Sequence, residues 1–600
     1  METFATAVFV LLVAVAYSPA ILTVVGIHND YELLRIKDLT FWHSEAEQLL
    51  RIARPVAALL SNVPVWPMQS LEDYRWSRLF SLATLGVLGW LMITICVRRL
   101  RISVAVSLAS ALAVFMTLPF IYSVLNTAAW APHLCTVLFA FVAYLQLSKS
   151  NVQLLSLAGI ELRGSFRQVL PLLLNYGRTG AIWRACLVYQ LALYNYPPNA
   201  LVLALFPVIA VVFSRMQRTL RWLIAARDVA FVFASMMIYG LATKLIYLPL
   251  VGLLVSPSMP PDPINNPLMA HIAATYRFGL NLDPLAFVER LVRLLRVTCD
   301  LWFLPQLNVH IGAGLILVGA LALANVMRRS GSGVGVSGGE VEPSLERLRI
   351  RGWASDGAVV VGVVLVCFAI VASPVLVPLG GLVTYRTIAV PIAMTAIIVL
   401  FGLFGLTQAF WGAIGSPLIS RFRAAEIALL LAVAVASASN WYVNHTTMTL
   451  ARNELDYFKA IVRIALSSNS KLIVLSDSRS FSLPEDHSIV YDEKGRAIPP
   501  YELACLSGVC FQSGAIAHVA AEELGLAKDH FVLFPMRPRD PFSAMTCDQL
   551  VAEETTLRPD ATDREVSFFR WARSLRPMTC VNYSLRWRDL SLSPGNIPLQ

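Results

Sequence analysis

Long apolar runs separated by short polar segments fill the first 440 residues of the chain. A helix of about 20 apolar residues crosses the roughly 30 Å hydrocarbon core of a bilayer, so this pattern predicts a polytopic α-helical membrane protein. Residues 195–199 (Asn-Tyr-Pro-Pro-Asn) join two of the shorter runs and are typical of a tight turn or a broken helix. We predict about eleven spans, near 4–25, 79–97, 102–121, 131–147, 180–195, 197–213, 229–250, 303–326, 356–378, 387–410 and 424–439.

Composition supports this class and bears on the orientation of the chain. Of 600 residues, 57% are hydrophobic and 14% are charged, whereas soluble chains carry about 25% charged residues. The net charge is +10, and the basic residues fall in alternate connections, which marks those connections as cytoplasmic. We therefore predict a cytoplasmic N-terminus. We assign the positive charge to cytoplasmic loops, so we predict no nucleic-acid partner. The basic residues of these loops are Arg98, Arg99, Arg101, Lys149, Arg163, Arg167, Arg215, Arg218, Arg221, Arg328, Arg329, Arg347, Arg349, Arg421 and Arg423.

Three segments are predicted on the non-cytoplasmic side: a first outside loop at 26–78, a second at 251–302, and everything from 441 to 600. The last segment begins with helical spacing and then contains two runs, Lys471–Ser476 and Phe531–Phe534, that predict buried strands. We therefore expect a transmembrane domain over residues 1–440 and a small extracytoplasmic α/β domain over residues 441–600.

Cysteine positions agree with this topology. Four cysteines lie in the C-terminal domain, where an even number in an oxidising compartment predicts two disulfides, and we favour Cys505–Cys510 and Cys547–Cys580. A zinc site is the alternative, although the cysteines lack the paired spacing usual in zinc ribbons. The other five are expected to be packing residues in or beside spans: Cys96, Cys135, Cys186, Cys299 and Cys367.

The first outside loop holds the densest set of candidate functional side chains. Asp30 and Glu32 follow the first span directly, which places two carboxylates at the membrane surface. Residues 45–60 have the spacing of an amphipathic interfacial helix with Arg51 and Arg54 on its polar face. Guanidinium groups suit phosphate because their donors can grip two oxygens. The carboxylates and a nearby histidine leave a divalent metal possible, although their spacing is not a recognised ligand pattern.

These motifs resemble a known family. Asn29-Asp30-Tyr31-Glu32 after the first span, then Trp42 and Arg54-Pro55, is similar to the GT-C membrane glycosyltransferases, and more narrowly to bacterial glucosyltransferases that modify O-antigen or related surface polysaccharides. Tyr189-Gln190 in the fifth span also looks like a segment of that group. The chain departs from the family at Tyr31, where a second Asp is common, which leaves the division of labour between Asp30 and Glu32 open.

The resemblance implies transfer of a sugar from a polyprenyl-phosphate donor to a glycan or other hydroxyl at the outer face of a bacterial inner membrane, with inversion. Asp30 is then the expected base, with Glu32 beside it. The expected ligands of the donor phosphate are Arg51, Arg54, Arg386 and Lys244, and the expected substrate-binding residues are Trp42, His43, Tyr189 and Gln190.

Other functions stay open at this point. A transporter or flippase of lipid-linked saccharides is the first alternative, and the break at 195–199 favours it because transporters use broken helices. A polymerase or ligase of surface polysaccharide would share the lipid-phosphate leaving group. A non-enzymatic assembly protein would use its C-terminal domain to bind a partner. Membrane lipids are partners in every case.

Overall fold

The structure, a computed structural model, describes parts of the chain on both sides of residue 440. The residues it describes are 1–26, 49–50, 52–61, 63, 68, 70–127, 130–151, 180–216, 218–254, 283–300, 343–376, 387–414, 421–467, 471–476, 519–520, 523–524, 531–534 and 578–583. The described part is helical apart from three short strands.

The helices, in chain order, are α1 (Glu2–Leu22), α2 (Pro55–Leu60), α3 (Tyr74–Thr94), α4 (Val104–Phe115), α5 (Leu118–Leu125), α6 (Thr136–Ser148), α7 (Gly180–Asn195), α8 (Pro197–Ala200), α9 (Leu205–Phe213), α10 (Arg218–Ala242), α11 (Leu248–Leu254), α12 (Pro284–Asp300), α13 (Pro343–Leu376), α14 (Ala389–Ile414) and α15 (Arg421–Ser467). Three π-helical turns, Ile95–Arg99, Trp130–Cys135 and Thr243–Tyr247, and two 3-10 turns, Leu71–Asp73 and Leu201–Ala204, extend or join them.

Among the described residues, five continuous helices are long and apolar enough to cross a membrane: Glu2–Leu22, Leu71–Arg99, Trp130–Ser148, Leu220–Val251 and Glu426–Ala460. The pair Val104–Phe115 and Pro119–Leu125, which bends by 66°, is a sixth candidate if the two helices together form one span. The bend follows an extended Thr117 and a proline near the start of α5, because proline cannot continue the preceding helix. The prediction of a helical membrane protein is confirmed, and the predicted run at 303–326 lies outside the described residues.

Helices α1 and α3 pack as an antiparallel pair that is fixed at both ends. At the N-terminal end, Glu2 accepts from Arg98 Nε at 2.7 Å and from Thr94 Oγ1 at 2.8 Å. Midway, the Phe9 ring lies directly on Gly89, where a Cβ atom would come within 1.9 Å of the ring. We call the opposite end, where α1 ends and α3 begins, the first-loop end of the bundle.

Arg78 locks the first-loop end from inside. Its side chain is fully buried and donates to four backbone carbonyls: Nη1 to Ala20 at 3.1 Å and Thr23 at 3.2 Å, Nη2 to Val25 at 2.5 Å, and Nε to Leu125 at 3.2 Å. The last carbonyls of α1 have no partner within that helix, and a cation at a helix C-terminus also complements the helix dipole. One side chain therefore fixes the exit of α1, the start of α3 and the end of α5.

The last helix, α15, runs without a break for 47 residues. It packs against α1, α4 and α14, and Asn444 Nδ2 donates to the Ala16 carbonyl at 2.8 Å. Asn440 is also buried and contacts Met116 Sδ at 3.1 Å. The helix therefore continues past residue 439, the expected end of the last apolar run, and residue 440, the predicted domain boundary, lies inside it.

The three strands form one parallel sheet in the order β2-β1-β3, with β1 at Lys471–Ser476, β2 at Phe531–Phe534 and β3 at Met578–Tyr583. The two predicted strands, β1 and β2, are confirmed, whereas β3 was not predicted. Cys580 lies on β3 opposite Ile473. Its proposed partner Cys547, and Cys505 and Cys510, lie outside the described residues, so the disulfides stay a prediction.

Cysteines in the helical part behave as expected for packing residues. All four whose side chains the structure describes are free, and three of them are buried. This set comprises Cys96, Cys135, Cys186 and Cys367.

Candidate functional site

A sharp turn in the first loop positions Arg54. The Ala53 amide donates to Leu50 and the Arg54 amide to Leu49, while Ala53 adopts φ 57°. This is the hydrogen-bond pattern that ends a helix through a left-handed residue, and Pro55 then starts α2. The single amphipathic helix predicted over 45–60 is therefore wrong, because the helical hydrogen bonds end at Ala53 and a separate helix starts at Pro55.

The segment from Leu49 to Leu60 lies over the ends of other helices. Helix α2 packs against α7 and the Trp130–Cys135 turn, and the Tyr247 hydroxyl donates to the Leu50 carbonyl at 2.9 Å. The Arg54 guanidinium carbon lies 4.3 Å from the centre of the Tyr196 ring, which is within the range of a cation–π interaction. The structure thus joins Arg54 to the 195–199 turn, two regions that were predicted separately.

The π-helical turn Trp130–Cys135 carries the next member of this site. Trp130 Nε1 donates to Thr84 Oγ1 at 3.0 Å, and Asn195 Nδ2 donates to the Ala131 carbonyl at 2.6 Å and to Thr136 Oγ1 at 3.0 Å. π-helical turns are rare in proteins overall, and those that occur are often found at functional sites. These bonds hold the turn against α3 and against the end of α7.

Within this turn, the buried His133 ring stacks on Tyr196 with centres 5.5 Å apart. His133 Nδ1 lies 2.6 Å from Ser123 Oγ, and the Ser123 hydroxyl lies 2.8 Å from the Pro119 carbonyl. A serine hydroxyl has one proton, so with that proton on Pro119 the imidazole Nδ1 is the donor to Ser123. We call Arg54, Tyr196, His133 and Ser123 the Arg54 cluster.

The Arg54 cluster combines three properties that suit one class of ligand. Arg54 supplies a planar cation that matches phosphate oxygens. Tyr196 and His133 supply stacked flat rings, and Ser123 and His133 supply polar atoms in a buried setting. These side chains together suit a ligand in which an anionic group is joined to a polar ring. The sequence gives no sign that Arg54 contacts Tyr196, because the two residues lie far apart along the chain.

Tyr189 and Gln190, predicted as substrate-binding residues, lie inside helix interfaces. The fully buried Tyr189 donates its hydroxyl proton to the Ala200 carbonyl at 3.0 Å. Gln190 Nε2 donates to the Ser235 carbonyl at 3.0 Å, which ties α7 to α10. The described contacts of both side chains hold helices together.

Lys244, predicted as a phosphate ligand, is exposed on the Thr243–Tyr247 turn, and the next two residues, Leu245 and Ile246, are also exposed. A lysine among exposed apolar residues near the end of a span is typical of a snorkelling anchor. The structure therefore places Lys244 on the apolar surface of the bundle rather than in the Arg54 cluster.

The remaining predicted site residues fall outside the described part of the chain: Asp30, Glu32, Trp42, His43, Arg51 and Arg386. Arg386 directly precedes the described Thr387 and Ile388 at the start of α14. Within the described residues, no group of three or more His, Cys, Asp or Glu side chains is arranged to hold a metal ion. The two carboxylates and the histidine of the first loop are not among those residues.

The sequence analysis missed a buried ionic network near the opposite end of the bundle. Asp228 accepts from the Tyr144 hydroxyl at 2.8 Å and from Arg227 Nε at 2.8 Å. Arg227 Nη1 also reaches Ser150 at 3.2 Å and Asn151 at 2.5 Å. The adjacent Arg and Asp at the edge of an apolar run were the available signal. Because every charge has a partner here, the network joins α10 to the end of α6.

Comparison of the chain with protein-family models, with curated proteins and with solved structures finds no match.

Proposed function

We propose that the protein transfers a sugar from a polyprenyl-phosphate donor to a glycan or other acceptor hydroxyl at the membrane surface. The observation that carries this proposal is the Arg54 cluster, in which a guanidinium group lies 4.3 Å from a buried tyrosine ring at the first-loop end of a membrane bundle. A lipid-linked donor needs this combination, because its tail stays among apolar helices while its phosphate meets a fixed cation.

In the proposed reaction, Asp30 removes the proton from the acceptor hydroxyl as the oxygen attacks the anomeric carbon. The bond from that carbon to the phosphate oxygen breaks, and polyprenyl phosphate leaves with the bonding electrons. Arg54 stabilises the charge that develops on the leaving phosphate, with Arg51 and Arg386 as further candidates. Single displacement inverts the configuration at the anomeric carbon. Glu32 is the second candidate for the base.

The topology that accompanies this proposal has eleven spans in a bacterial inner membrane, with the N-terminus in the cytoplasm. The first-loop end then faces the periplasm, as do the Arg54 cluster and a C-terminal α/β domain. Support comes from the basic residues of the Ile95–Arg99 turn and of residues 215–221, which lie at the ends of helices opposite the first-loop end.

A transporter of lipid-linked saccharides is the second candidate. The 66° bend between α4 and α5 and the break before α8 favour it, because transporters build their sites from broken helices. Against it, the buried charges of the Arg227–Asp228 pair are engaged with each other.

The test is mass spectrometry of surface glycans from cells that lack the protein and from cells that carry single variants. We expect the deletion and Asp30→Asn to lose the same sugar, because the amide keeps the shape of the carboxylate but cannot act as a base. Arg54→Gln should lower transfer about 100-fold, the effect of removing one fixed charge-stabilising donor. Arg75→Gln is the matched control, since Arg75 lies exposed at the same end of the bundle and makes one long bond of 3.5 Å to Leu22.

A deletion that leaves every surface glycan unchanged, in cells that express the wild type, would refute the transferase. If the deletion alters the glycan but Asp30→Asn does not, Glu32 becomes the base. If uptake of a lipid-linked saccharide into vesicles requires the protein while no glycosidic bond forms, the transporter is correct.

A further inference from the structure

Two buried asparagines on either side of the Tyr-Pro-Pro turn have polar atoms that the protein does not use. Asn199 is 1% exposed, and neither Nδ2 nor Oδ1 has a hydrogen-bond partner in the described structure. Asn195 is fully buried, and its Oδ1 likewise has none among the described residues. Three amide atoms within five residues are therefore available to something other than the protein.

A buried polar group without a hydrogen bond destabilises the folded state, and several described side chains have one such atom, whereas Asn199 is the described residue in which two side-chain atoms lack a partner. Asn195 has a clear packing role, since its Nδ2 makes two bonds that hold the Trp130–Cys135 turn. No hydrogen bond in the described structure explains Asn199. A leucine of similar size would fill the same space without unsatisfied atoms, so the amide of Asn199 points to a ligand.

The position of the two amides ties them to the Arg54 cluster. Asn195 Nδ2 binds the Ala131 carbonyl, two residues before His133, so its free Oδ1 lies beside the π-helical turn. Asn199 follows Tyr196 by one turn, and the backbone N–H of Asn199 donates to the Tyr196 carbonyl at 3.1 Å. Helix α8, which carries Asn199, packs against α6, α7, α13 and α14. The amides thus belong to the same helix ends as the stacked rings.

We propose that Asn195 Oδ1 and the Asn199 amide bind hydroxyl groups of the donor sugar, while Tyr196 and His133 line the side of the sugar ring. An amide offers a donor and an acceptor together, and a sugar hydroxyl both donates and accepts, so one asparagine can satisfy two adjacent hydroxyls. This assignment rests on the proposed function, in which Arg54 holds the phosphate of the same donor. It separates the recognition of the sugar from that of the lipid phosphate.

The test compares wild type with Asn199→Leu, both extracted in polymer nanodiscs with their native lipids. Mass spectrometry measures polyprenyl phosphate and its glycosylated form in each sample. We expect the ratio of glycosylated to free polyprenyl phosphate to fall at least tenfold in Asn199→Leu, because the hydrogen bonds to the sugar are lost, while free polyprenyl phosphate is retained. The melting temperature of the variant without ligand should rise by about 2 °C, because an unsatisfied amide is removed.

Asn444→Leu is the matched control. Asn444 is also a fully buried helical asparagine whose Oδ1 has no hydrogen-bond partner in the described structure, but its Nδ2 donates to the Ala16 carbonyl at 2.8 Å, far from the Tyr-Pro-Pro turn in the sequence. This variant should keep the lipid ratio of the wild type and should melt at a lower temperature.

The outcomes separate the two proposals. An unchanged ratio in Asn199→Leu, beside glycosylated lipid in the wild type, would refute the sugar site and leave the transferase standing. A fall in the melting temperature of Asn199→Leu would also refute it, because the amide would then belong to the packing of the protein or to ordered water. Wild type that retains no glycosylated polyprenyl phosphate would refute the proposed function and, with it, this site.

Discussion

Replacing Arg78 should destabilise the bundle more than any surface change at the same end. Arg78→Met removes donors from four carbonyls, those of Ala20, Thr23, Val25 and Leu125. Each buried carbonyl left without a partner costs about 1 kcal/mol, so the free energy of unfolding should fall by about 4 kcal/mol. The change also removes the hydrogen bond to the Val25 carbonyl, five residues before Asp30 in the sequence.

Arg78→Lys separates the charge from the geometry. A lysine keeps the cation but has one nitrogen with three protons, so it cannot reach carbonyls that lie on three sides of a planar fork. We expect a loss of about 2 kcal/mol, half that of Arg78→Met. Arg75→Met is the control, because Arg75 is exposed and should change stability by less than about 0.5 kcal/mol.

The assay is equilibrium unfolding in bicelles by steric trapping, with melting in detergent as a second measurement. If Arg78→Met unfolds with the same free energy as the wild type, the four hydrogen bonds do not hold the first-loop end, and the reasoning fails. If Arg78→Lys is as unstable as Arg78→Met, the planar fork rather than the charge supplies the whole effect.

Two further changes test the packing of the bundle. Gly89→Ala would place a Cβ atom 1.9 Å from the buried Phe9 ring and should lower the free energy of unfolding by about 1–3 kcal/mol. Gly86→Ala, where the nearest atom to the new Cβ would be 3.6 Å away, should be neutral or slightly stabilising. Equal melting temperatures for the two variants would contradict the close approach of Phe9 to Gly89. Tyr144→Phe removes a bond to the carboxylate of Asp228, and should cost about 1.5–3 kcal/mol, whereas Tyr189→Phe removes a bond to a neutral carbonyl and should cost about 1 kcal/mol. Equal losses in both tyrosine variants would show that the charge of the acceptor does not matter.

The sequence predicted the class of helical membrane protein because apolar length is a local property, but some helices extend beyond the apolar runs that predicted them. The seventh span was expected to start near residue 229, directly after Arg227 and Asp228 in the sequence. In the structure the helix begins at Arg218 and includes both residues, because their charges are engaged with each other and with Tyr144. Asn440, directly after the expected end of the last run at residue 439, is likewise buried in the helix packing, where its Nδ2 lies 3.1 Å from Met116 Sδ.

The candidate site was predictable only in part. Arg54 and the 195–199 turn were both noted from the sequence, but nothing in their spacing shows that they meet. The stacking of His133 on Tyr196 has no signal in the sequence. The left-handed conformation of Ala53 has none either, because glycine rather than alanine is the residue usually found in that conformation. These features come from packing between distant segments, which a single sequence does not report.

Because α15 is unbroken, the direction in which the sheet faces depends on the exact number of residues in this helix. At 1.5 Å per residue, its 47 residues span about 70 Å, more than twice the thickness of the hydrocarbon core, and the helix packs against the bundle and against β1 and β3. One residue inserted after Asn444 would turn everything beyond it by about 100° around the helix axis, whereas seven residues would restore nearly the original direction. Insertions and deletions in this helix therefore keep the direction of the sheet only when they comprise about seven residues, or two turns, at a time.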